Sequence, residues 1–200
     1  ACEPDESGRW QLLALHGDRV TPAAVERRRG LQTALAREPR VVIAREIYAE
    51  WRREHGRHAS EVLLKRYPEA CLIWAANDGI ALGAIEAAES LGRRPGKDLL
   101  VAGLNGSNDG LEAMRQGKLA VSVAGHFLSA GLALQLLADA HERGELDAMS
   151  GVYRRPVMGV IRHGDRSRFV QWRAAGWTVI GPGEVWHGAA PWVTESAPAE

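Results

Sequence analysis

The feature that most constrains the fold is a regular alternation of continuous apolar runs with amphipathic stretches. The apolar runs are WQLLALHG, RVVIA, CLIWAAND, DLLVAGLNG and LAVSVAGH, and segments with helical periodicity separate them. Strands that are apolar at nearly every position are typical of a parallel sheet that helices cover on both faces. The sequence therefore predicts an α/β fold, a three-layer Rossmann-like arrangement with a doubly wound parallel sheet.

Capping residues support these boundaries. Helices are expected to start at Thr21–Pro22, at Asn77–Asp78 and at Ser107–Asn108, where polar N-cap side chains or a first-turn proline occur. Helices are expected to stop at Gly92 and Gly117, because glycine accepts the left-handed conformation at a helix C-terminus. The stretch AEWRREHGRHASEVLLKRY is interpreted as the second helix, and VYRRPVMGVIRH as one last strand.

Charge and hydropathy exclude several classes of function. The 200 residues contain 25 Lys plus Arg and 25 Asp plus Glu, so the net charge is zero and no broad attraction to nucleic acid or acidic lipid is expected. No apolar run reaches the length of about 18 residues that spans a bilayer. The opening residues ACEPDESGRW lack signal-peptide features, so a signal peptide either never existed or lies upstream. A small polar molecule is the expected ligand.

Polar side chains gather where the predicted strands end. The carboxyl ends of parallel strands meet at one edge of the sheet, and ligands bind in that crevice. Asparagine amides that both donate and accept, next to a tryptophan face, suit a polyol. Two simpler interpretations remain open: Asn77 and Asp78 cap a helix, and Trp51 packs in the core. The residues at this edge are His16, Asp18, Glu46 to Trp51, Asn77, Asp78, Asn105 to Asn108 and His126.

Three motifs carry a resemblance to a known family. They are AAND-x-x-ALGA-x-EA, the strand end VAGLNG, and LEAMRQGKLAVSVA. The segment that contains them resembles the C-terminal lobe of type I periplasmic binding proteins, which are sugar and autoinducer receptors with two hinged lobes. The resemblance covers residues 10–163, with a hinge-return strand near Tyr153 to His163. It implies that residues 1–9 are an extension, that residues 164–200 are a tryptophan-rich arm with a mobile end, and that the first lobe is missing from this chain.

The resemblance also suggests which residues bind the ligand. Arg27 in ERRRGL matches an arginine that contacts ring hydroxyls, Trp51 falls where an aromatic stacks on the sugar, and Asn77 matches a ligand-bonding asparagine. Two positions depart from the pattern. Asn105 stands where sugar binders usually have aspartate, and His126 follows a glycine where they commonly have glutamine. A simple ribose-like ligand is therefore not expected.

The function implied is that of a solute-binding receptor of a bacterial ABC uptake system, located in the periplasm, with a membrane permease or a sensor protein as partner. Alternatives are the effector domain of a lac-repressor-like regulator and a receptor for a signalling kinase. The segment GKLAVSV favours the receptor, because such regulators usually carry Pro-x-Leu-Thr-Thr there. No enzyme, cofactor or metal site is expected. His55 and His58 are interpreted as part of a solvated helix face.

The two cysteines, Cys2 and Cys71, are too few for a disulfide scaffold and could form one bridge. In the fold implied by the resemblance, the first and third strands are neighbours, and the two cysteines lie at the same amino-terminal end of the sheet. A bridge between them is therefore a hypothesis that would fit an oxidising periplasm. The alternative is a pair of buried free thiols.

Overall fold

The computed structural model describes residues 2–126, 129–149, 152–154, 158–162 and 193–195. The first of two compact units holds β1 to β4, α1 to α4, most of β5, and most of β7, and the second holds α5, a 3-10 helix, β6 and β8. The elements are β1 (Trp10–His16), α1 (Pro22–Leu35), β2 (Val41–Tyr48), α2 (Arg53–Arg66), β3 (Leu72–Ala75), α3 (Asp78–Ser90), β4 (Leu100–Leu104), α4 (Asn108–Arg115), β5 (Val121–Ala124), α5 (Ser129–Glu142), the 3-10 helix (Leu146–Ala148), β6 (Val152–Arg154), β7 (Gly159–Arg162) and β8 (Val193–Glu195).

The sheet of the first unit has the strand order β2-β1-β3-β4-β5-β7. The pairs β1–β2, β1–β3, β3–β4 and β4–β5 are all parallel, which confirms the predicted α/β fold and the predicted neighbourhood of β1 and β3. Because these strands run in one direction, their carboxyl ends share one edge. The loops at that edge, residues 17–21, 49–52, 76–77 and 105–107, form what we call the carboxyl rim.

Helices cover both faces of the sheet, as predicted. Leu12 and Ala14 of β1 pack with Leu31 of α1 on one face. Successive strand residues point to opposite faces, so Leu13 and Leu15, both fully buried, face the other side. There α3 packs against β3 and β4, and α2 packs along α3. None of the helices in the described ranges is long and apolar enough to cross a membrane.

The alanine-rich sequence of α3 follows from how closely α2 approaches it. A Cβ added at Gly56 of α2 would lie 2.7 Å from the carbonyl oxygen of Ile80, and one added at Gly83 would overlap the backbone of Arg53. Small residues at this contact let the two helix backbones come together. Most residues of α3 are buried, and its N-terminus lies at the carboxyl rim, where Asn77 is the N-cap.

The predicted helix boundaries are confirmed at both ends. Thr21, Asn77 and Ser107 are the N-cap residues of α1, α3 and α4, and the side chains of Asn77 and Ser107 accept hydrogen bonds from helix N–H groups. Thr21 makes no such side-chain bond. Gly92 and Gly117 have φ angles of 76° and 73°, the left-handed conformation expected after a helix.

The prediction of one last strand over VYRRPVMGVIRH is wrong. The structure has two strands there: β6 pairs antiparallel with β8, whereas β7 joins the six-stranded sheet next to β5. Pro156 lies between them in the sequence and has no N–H to donate to a continuous ladder. The predicted division into residues 1–9, 10–163 and 164–200 remains a prediction, and most of the predicted arm lies outside the described residues.

A disulfide joins Cys2 to Cys71, which confirms the hypothesis drawn from the strand order. The two Cα atoms are 5.2 Å apart, and 69 positions separate the residues in sequence. The bond ties the N-terminal extension to the residue that precedes β3, and Cys71 is buried. It therefore closes a long loop that contains β1, α1, β2 and α2.

Breaking this disulfide is expected to lower the free energy of unfolding by about 2 to 4 kcal/mol, since the cross-link restricts the unfolded chain most when the closed loop is long. The measurement is urea unfolding of the oxidised chain, of the chain in reductant, and of the Cys2→Ala/Cys71→Ala variant. The double variant serves as the control, because reductant should not change its unfolding midpoint. Equal midpoints for the oxidised and reduced chain would contradict the expectation.

Candidate functional site

The loop that follows β2 is held in an uncommon backbone conformation. Glu50 and Trp51 have φ angles of 49° and 62°, in the left-handed region that costs a non-glycine residue about 1 to 3 kcal/mol. Helix α2 consequently begins at Arg53 and not at Ala49, which corrects the helix predicted over AEWRREHGRHASEVLLKRY. Trp51 thus lies in a loop at the rim, where neighbouring elements must compensate the backbone strain.

Hydrogen bonds from two neighbouring loops hold this conformation. The N–H of Ala49 donates to the carbonyl of His16 at 2.9 Å, and the N–H of Glu50 donates to the carbonyl of Gly17 at 3.0 Å. The carbonyl of Trp51 accepts from Nδ2 of Asn77 at 3.1 Å. The main chain on both sides of the strained residues is therefore fixed to the ends of β1 and β3.

The indole of Trp51 is fixed as well. Its Nε1 donates to Oδ2 of Asp18 at 2.6 Å, across the gap between the loops after β1 and β2. The ring lies directly against Gly17, where a Cβ would overlap it. A side chain at position 17 would push the ring away, so glycine there permits the observed packing.

Asp18 accepts four hydrogen bonds in all. Besides the indole, the donors are the N–H of Val20 at 2.8 Å and, from Thr21, the N–H at 2.7 Å and Oγ1 at 2.8 Å. The N–H of Thr21 and then the indole hold the pKa of this carboxyl far below its usual range, because both stabilise the ionised form. Asp18 therefore shapes the loop before Thr21 and also anchors the indole, a role that sequence reasoning missed.

Arg27 projects from α1 across the rim. Its Nη1 donates to the carbonyl of Ala76 at 2.5 Å, its Nη2 donates to Oδ1 of Asn105 at 3.3 Å, and its Cζ lies 5.2 Å from the ring centroid of Trp51. Burial lowers the pKa of the guanidinium, and the nearby carboxylate of Asp78 opposes that change. Arg27 stays a cation, and its two hydrogen-bond acceptors in the described part of the chain are neutral oxygens.

Both polar atoms of the Asn77 side chain make hydrogen bonds within the protein. Its Oδ1 accepts from the N–H of Ile80 at 2.7 Å, and its Nδ2 donates to the carbonyl of Trp51. The capping interpretation is therefore what the structure shows. An amide has two donor hydrogens and two lone pairs on its oxygen, so one of each remains, and a ligand contact of Asn77 stays a prediction.

Asn105 directly follows β4, has a φ angle of 132°, and turns its side chain towards Arg27. Its N–H donates to the carbonyl of Val123 at 2.8 Å, which fixes the start of the loop to β5. The predicted residues Arg27, Trp51, Asn77 and Asn105 are thus linked by direct contacts on one rim.

Asp78 is a structural residue whose role the sequence did not reveal. Its carboxylate is fully buried and accepts from the N–H of Ser107 and from Oγ of Ser122, both at 2.7 Å. A carboxylate at the first position of a helix is a familiar pattern. Its partners, however, lie 29 and 44 residues away in sequence, and only the fold brings them together.

The remaining predicted positions divide in two. His16 is buried, with the rings of Tyr48 and Trp74 each 5.3 Å away, so it is a packed histidine. His126 is exposed and belongs to the second unit, and its contact with a ligand stays a prediction. No cluster of potential metal ligands occurs among the residues that the structure describes.

Comparisons with known proteins agree on one family. Residues 5–146 match the family described as periplasmic binding protein domain. The ribose import binding protein RbsB of Salmonella typhimurium is 35% identical over 114 residues, which are 57% of this chain and 37% of that protein.

Two solved structures resemble the chain along more of its length. A periplasmic sugar-binding protein from Pseudomonas fluorescens is 47% identical, with a TM-score of 0.65, over 68% of this chain and 42% of that one. The periplasmic binding protein component of the arabinose ABC transporter from Shewanella sp. ANA-3, bound to arabinofuranose, is 27% identical, with a TM-score of 0.68, over 84% of this chain and 53% of that one. The chain thus spans about half the length of these relatives or less.

The buried His16 is expected to make stability depend on pH. Burial lowers the pKa of its imidazole, Glu46 at 3.5 Å opposes this, and Arg28 adds to it. Between the folded pKa and about 6.5, the unfolded chain binds a proton that the folded chain does not bind. The free energy of unfolding should therefore fall as the pH drops below about 6.5, by at most about 1.4 kcal/mol per pH unit.

The measurement is urea unfolding between pH 7.5 and pH 5 of the unaltered chain and of His16→Phe, which keeps an aromatic ring and removes the titrating group. His58→Gln, on the exposed face of α2, is the control and should keep the pH dependence of the unaltered chain. The same slope in His16→Phe as in the unaltered chain would show that His16 is not the cause.

Proposed function

The chain belongs to the periplasmic binding protein family, and from this premise we propose that it is the ligand-binding lobe of a sugar receptor that serves a bacterial ABC uptake system. The ligand is a small sugar or related polyol, and the partner is a membrane permease. The relatives named above are described as ribose-, sugar- and arabinose-binding proteins, and they give no support to the regulator alternative. The disulfide is compatible with an oxidising compartment such as the periplasm.

The observation that carries this proposal is the position of Arg27. Its guanidinium bridges the ends of β3 and β4, through Ala76 and Asn105, and lies over the indole of Trp51. A cation, an aromatic ring and an amide thus contact one another at the carboxyl ends of parallel strands. Ligands bind at this position in open α/β sheets. This combination can donate hydrogen bonds to ring hydroxyls and cover the apolar face of a sugar.

Binding would involve no covalent chemistry. In the proposed cycle, the rim of this lobe supplies half of the contacts, a second lobe supplies the rest, and closure of the two lobes produces the form that the permease binds. Most of the rim is fixed before the ligand arrives, because its side chains already bond to neighbouring loops. A site of this kind loses less conformational entropy on binding.

The proposal is tested by titrating the 200-residue chain with D-ribose, L-arabinose and myo-inositol at millimolar concentrations, followed by NMR. We expect at least one of these probes to give saturable shifts. Arg27→Ala should weaken that binding about tenfold or more, because hydrogen bonds to a charged donor contribute about 1.5 to 3 kcal/mol.

Arg29→Ala is the matched control for Arg27→Ala. Arg29 lies on the same helix, its side chain is 76% exposed, and it pairs with Glu26 at 3.8 Å. Its replacement should leave the affinity unchanged. Thermal unfolding of both variants establishes that they are folded. The absence of saturable binding of all three probes to the unaltered chain would reject the proposed function.

Asn105→Asp should strengthen the binding of a neutral sugar by up to about tenfold. A carboxylate accepts stronger hydrogen bonds from hydroxyls than an amide does, and Arg27 would stabilise its charge. The titration that detects sugar binding measures the change, with Asn105→Ala as the comparison that should weaken binding. Weaker binding by Asn105→Asp than by the unaltered chain would contradict this account of Asn105.

A further inference from the structure

The hydrogen bonds of Asp18 connect a rigid turn to a distant aromatic ring. Oδ1 accepts from the N–H groups of Val20 and Thr21 within its own loop. Oδ2 accepts from Oγ1 of Thr21 and from Nε1 of Trp51, which is 33 positions away in sequence. The bonds to Oδ1 fix the carboxylate in place. Because the carboxylate is fixed, the bond from Oδ2 to Nε1 also fixes the position of the indole.

The bond to Asp18 is the hydrogen bond that reaches the ring of Trp51. The hydrogen bonds at Ala49, Glu50 and the carbonyl of Trp51 hold the backbone, and Gly17, where a Cβ would overlap the ring, leaves the space that the ring fills. The indole has one donor and no acceptor. The bond from Nε1 to Asp18 therefore sets the rotation of the ring within the space that Gly17 leaves.

The ring in turn lies in contact with the cation of the site. Arg27 is over the indole, with Cζ 5.2 Å from the ring centroid, and the same guanidinium donates to Asn105. A rotated indole would displace Arg27 or lose its contact with it. The orientation of the indole, which Asp18 sets, therefore affects the positions of Arg27 and Asn105, two further residues of the proposed site.

We propose that Asp18 is a positioning residue for sugar binding, which acts by holding the indole plane of Trp51 in its binding orientation before the ligand arrives. This rests on the proposed function, in which Trp51 covers a face of the sugar. A ring that is already oriented loses little rotational freedom on binding, and this raises affinity without any contact between Asp18 and the ligand.

The isosteric variant Asp18→Asn isolates this role. Its amide oxygen can still accept from the N–H groups of Val20 and Thr21, so the turn is kept, but its NH₂ group now faces the indole N–H as donor against donor. Trp51→Phe removes the indole N–H and keeps an aromatic ring. The two variants therefore remove the same hydrogen bond from its two sides.

The first readout is the indole N–H signal of Trp51 in ¹H–¹⁵N NMR spectra, assigned by its loss in Trp51→Phe. Asp18→Asn should move this signal upfield, because the charged acceptor is gone. Asp5→Asn is the matched control: Asp5 also accepts from two backbone N–H groups and a hydroxyl in its own turn, and no tryptophan within the described ranges bonds to it. Asp5→Asn should leave the Trp51 signal in place.

The second readout is a double-mutant cycle on the affinity for the best-binding of D-ribose, L-arabinose and myo-inositol. Asp18→Asn should weaken binding about fivefold in the chain with Trp51 and should have no further effect in Trp51→Phe. A role in general loop stability would instead give the same loss in both backgrounds. That result, or an unmoved Trp51 signal in Asp18→Asn, would overturn the proposal.

The two proposals fail in different ways. If none of the three probes binds the unaltered chain, the proposed function fails and the binding role of Asp18 fails with it. If a probe binds, and Arg27→Ala weakens that binding while Asp18→Asn does not, the proposed function stands and only the role of Asp18 is rejected.

Discussion

The buried carboxylate of Asp78 is the interaction on which the shape of the rim depends. It opens α3, accepts from the N–H of Ser107, which is the N-cap of α4, and accepts from the hydroxyl of Ser122 on β5. Ser122 in turn accepts from the N–H of Gly106 at 3.1 Å. One carboxylate thus joins the ends of three successive strand-and-helix units, and a buried charge of this kind is tolerated only because donors surround it.

The part of the rim around Trp51 is built on the same principle with a different carboxylate. Asp18 is ionised and fully used by donors of its own loop and by the indole. Arg27 lies over the indole that Asp18 holds, and it bonds to two neutral oxygens. The two carboxylates hold the loops of the rim together, whereas Arg27 and the amides of Asn77 and Asn105 are the groups proposed to bond the ligand. A receptor that distinguishes among similar polyols needs such a division, because mobile contacts discriminate poorly.

Much of the fold could be predicted because its signals are local. Apolar runs of strand length, the N-caps Asn77 and Ser107, and the stop at Gly92 each depend on a few neighbouring residues. The disulfide could be predicted only after the strand order was inferred. The start of α2 could not be predicted. A helical sequence pattern continues through Trp51, and the contacts that keep Trp51 out of the helix come from the loops after β1 and β3.

By itself, the sequence determined the alternation of strands and helices through β5 and the edge at which Trp51, Asn77 and Asn105 collect, and the family resemblance added Arg27. The tertiary structure decided what each of them touches: that Asn77 holds Trp51, that Arg27 bonds Asn105, and that Asp18 orients the indole. The physical reason is range. Propensity and periodicity act over a few residues, whereas these hydrogen bonds join positions 26 to 78 residues apart. Only the folded sheet, which places the loops after β1 to β4 at one edge, brings such positions within bonding distance.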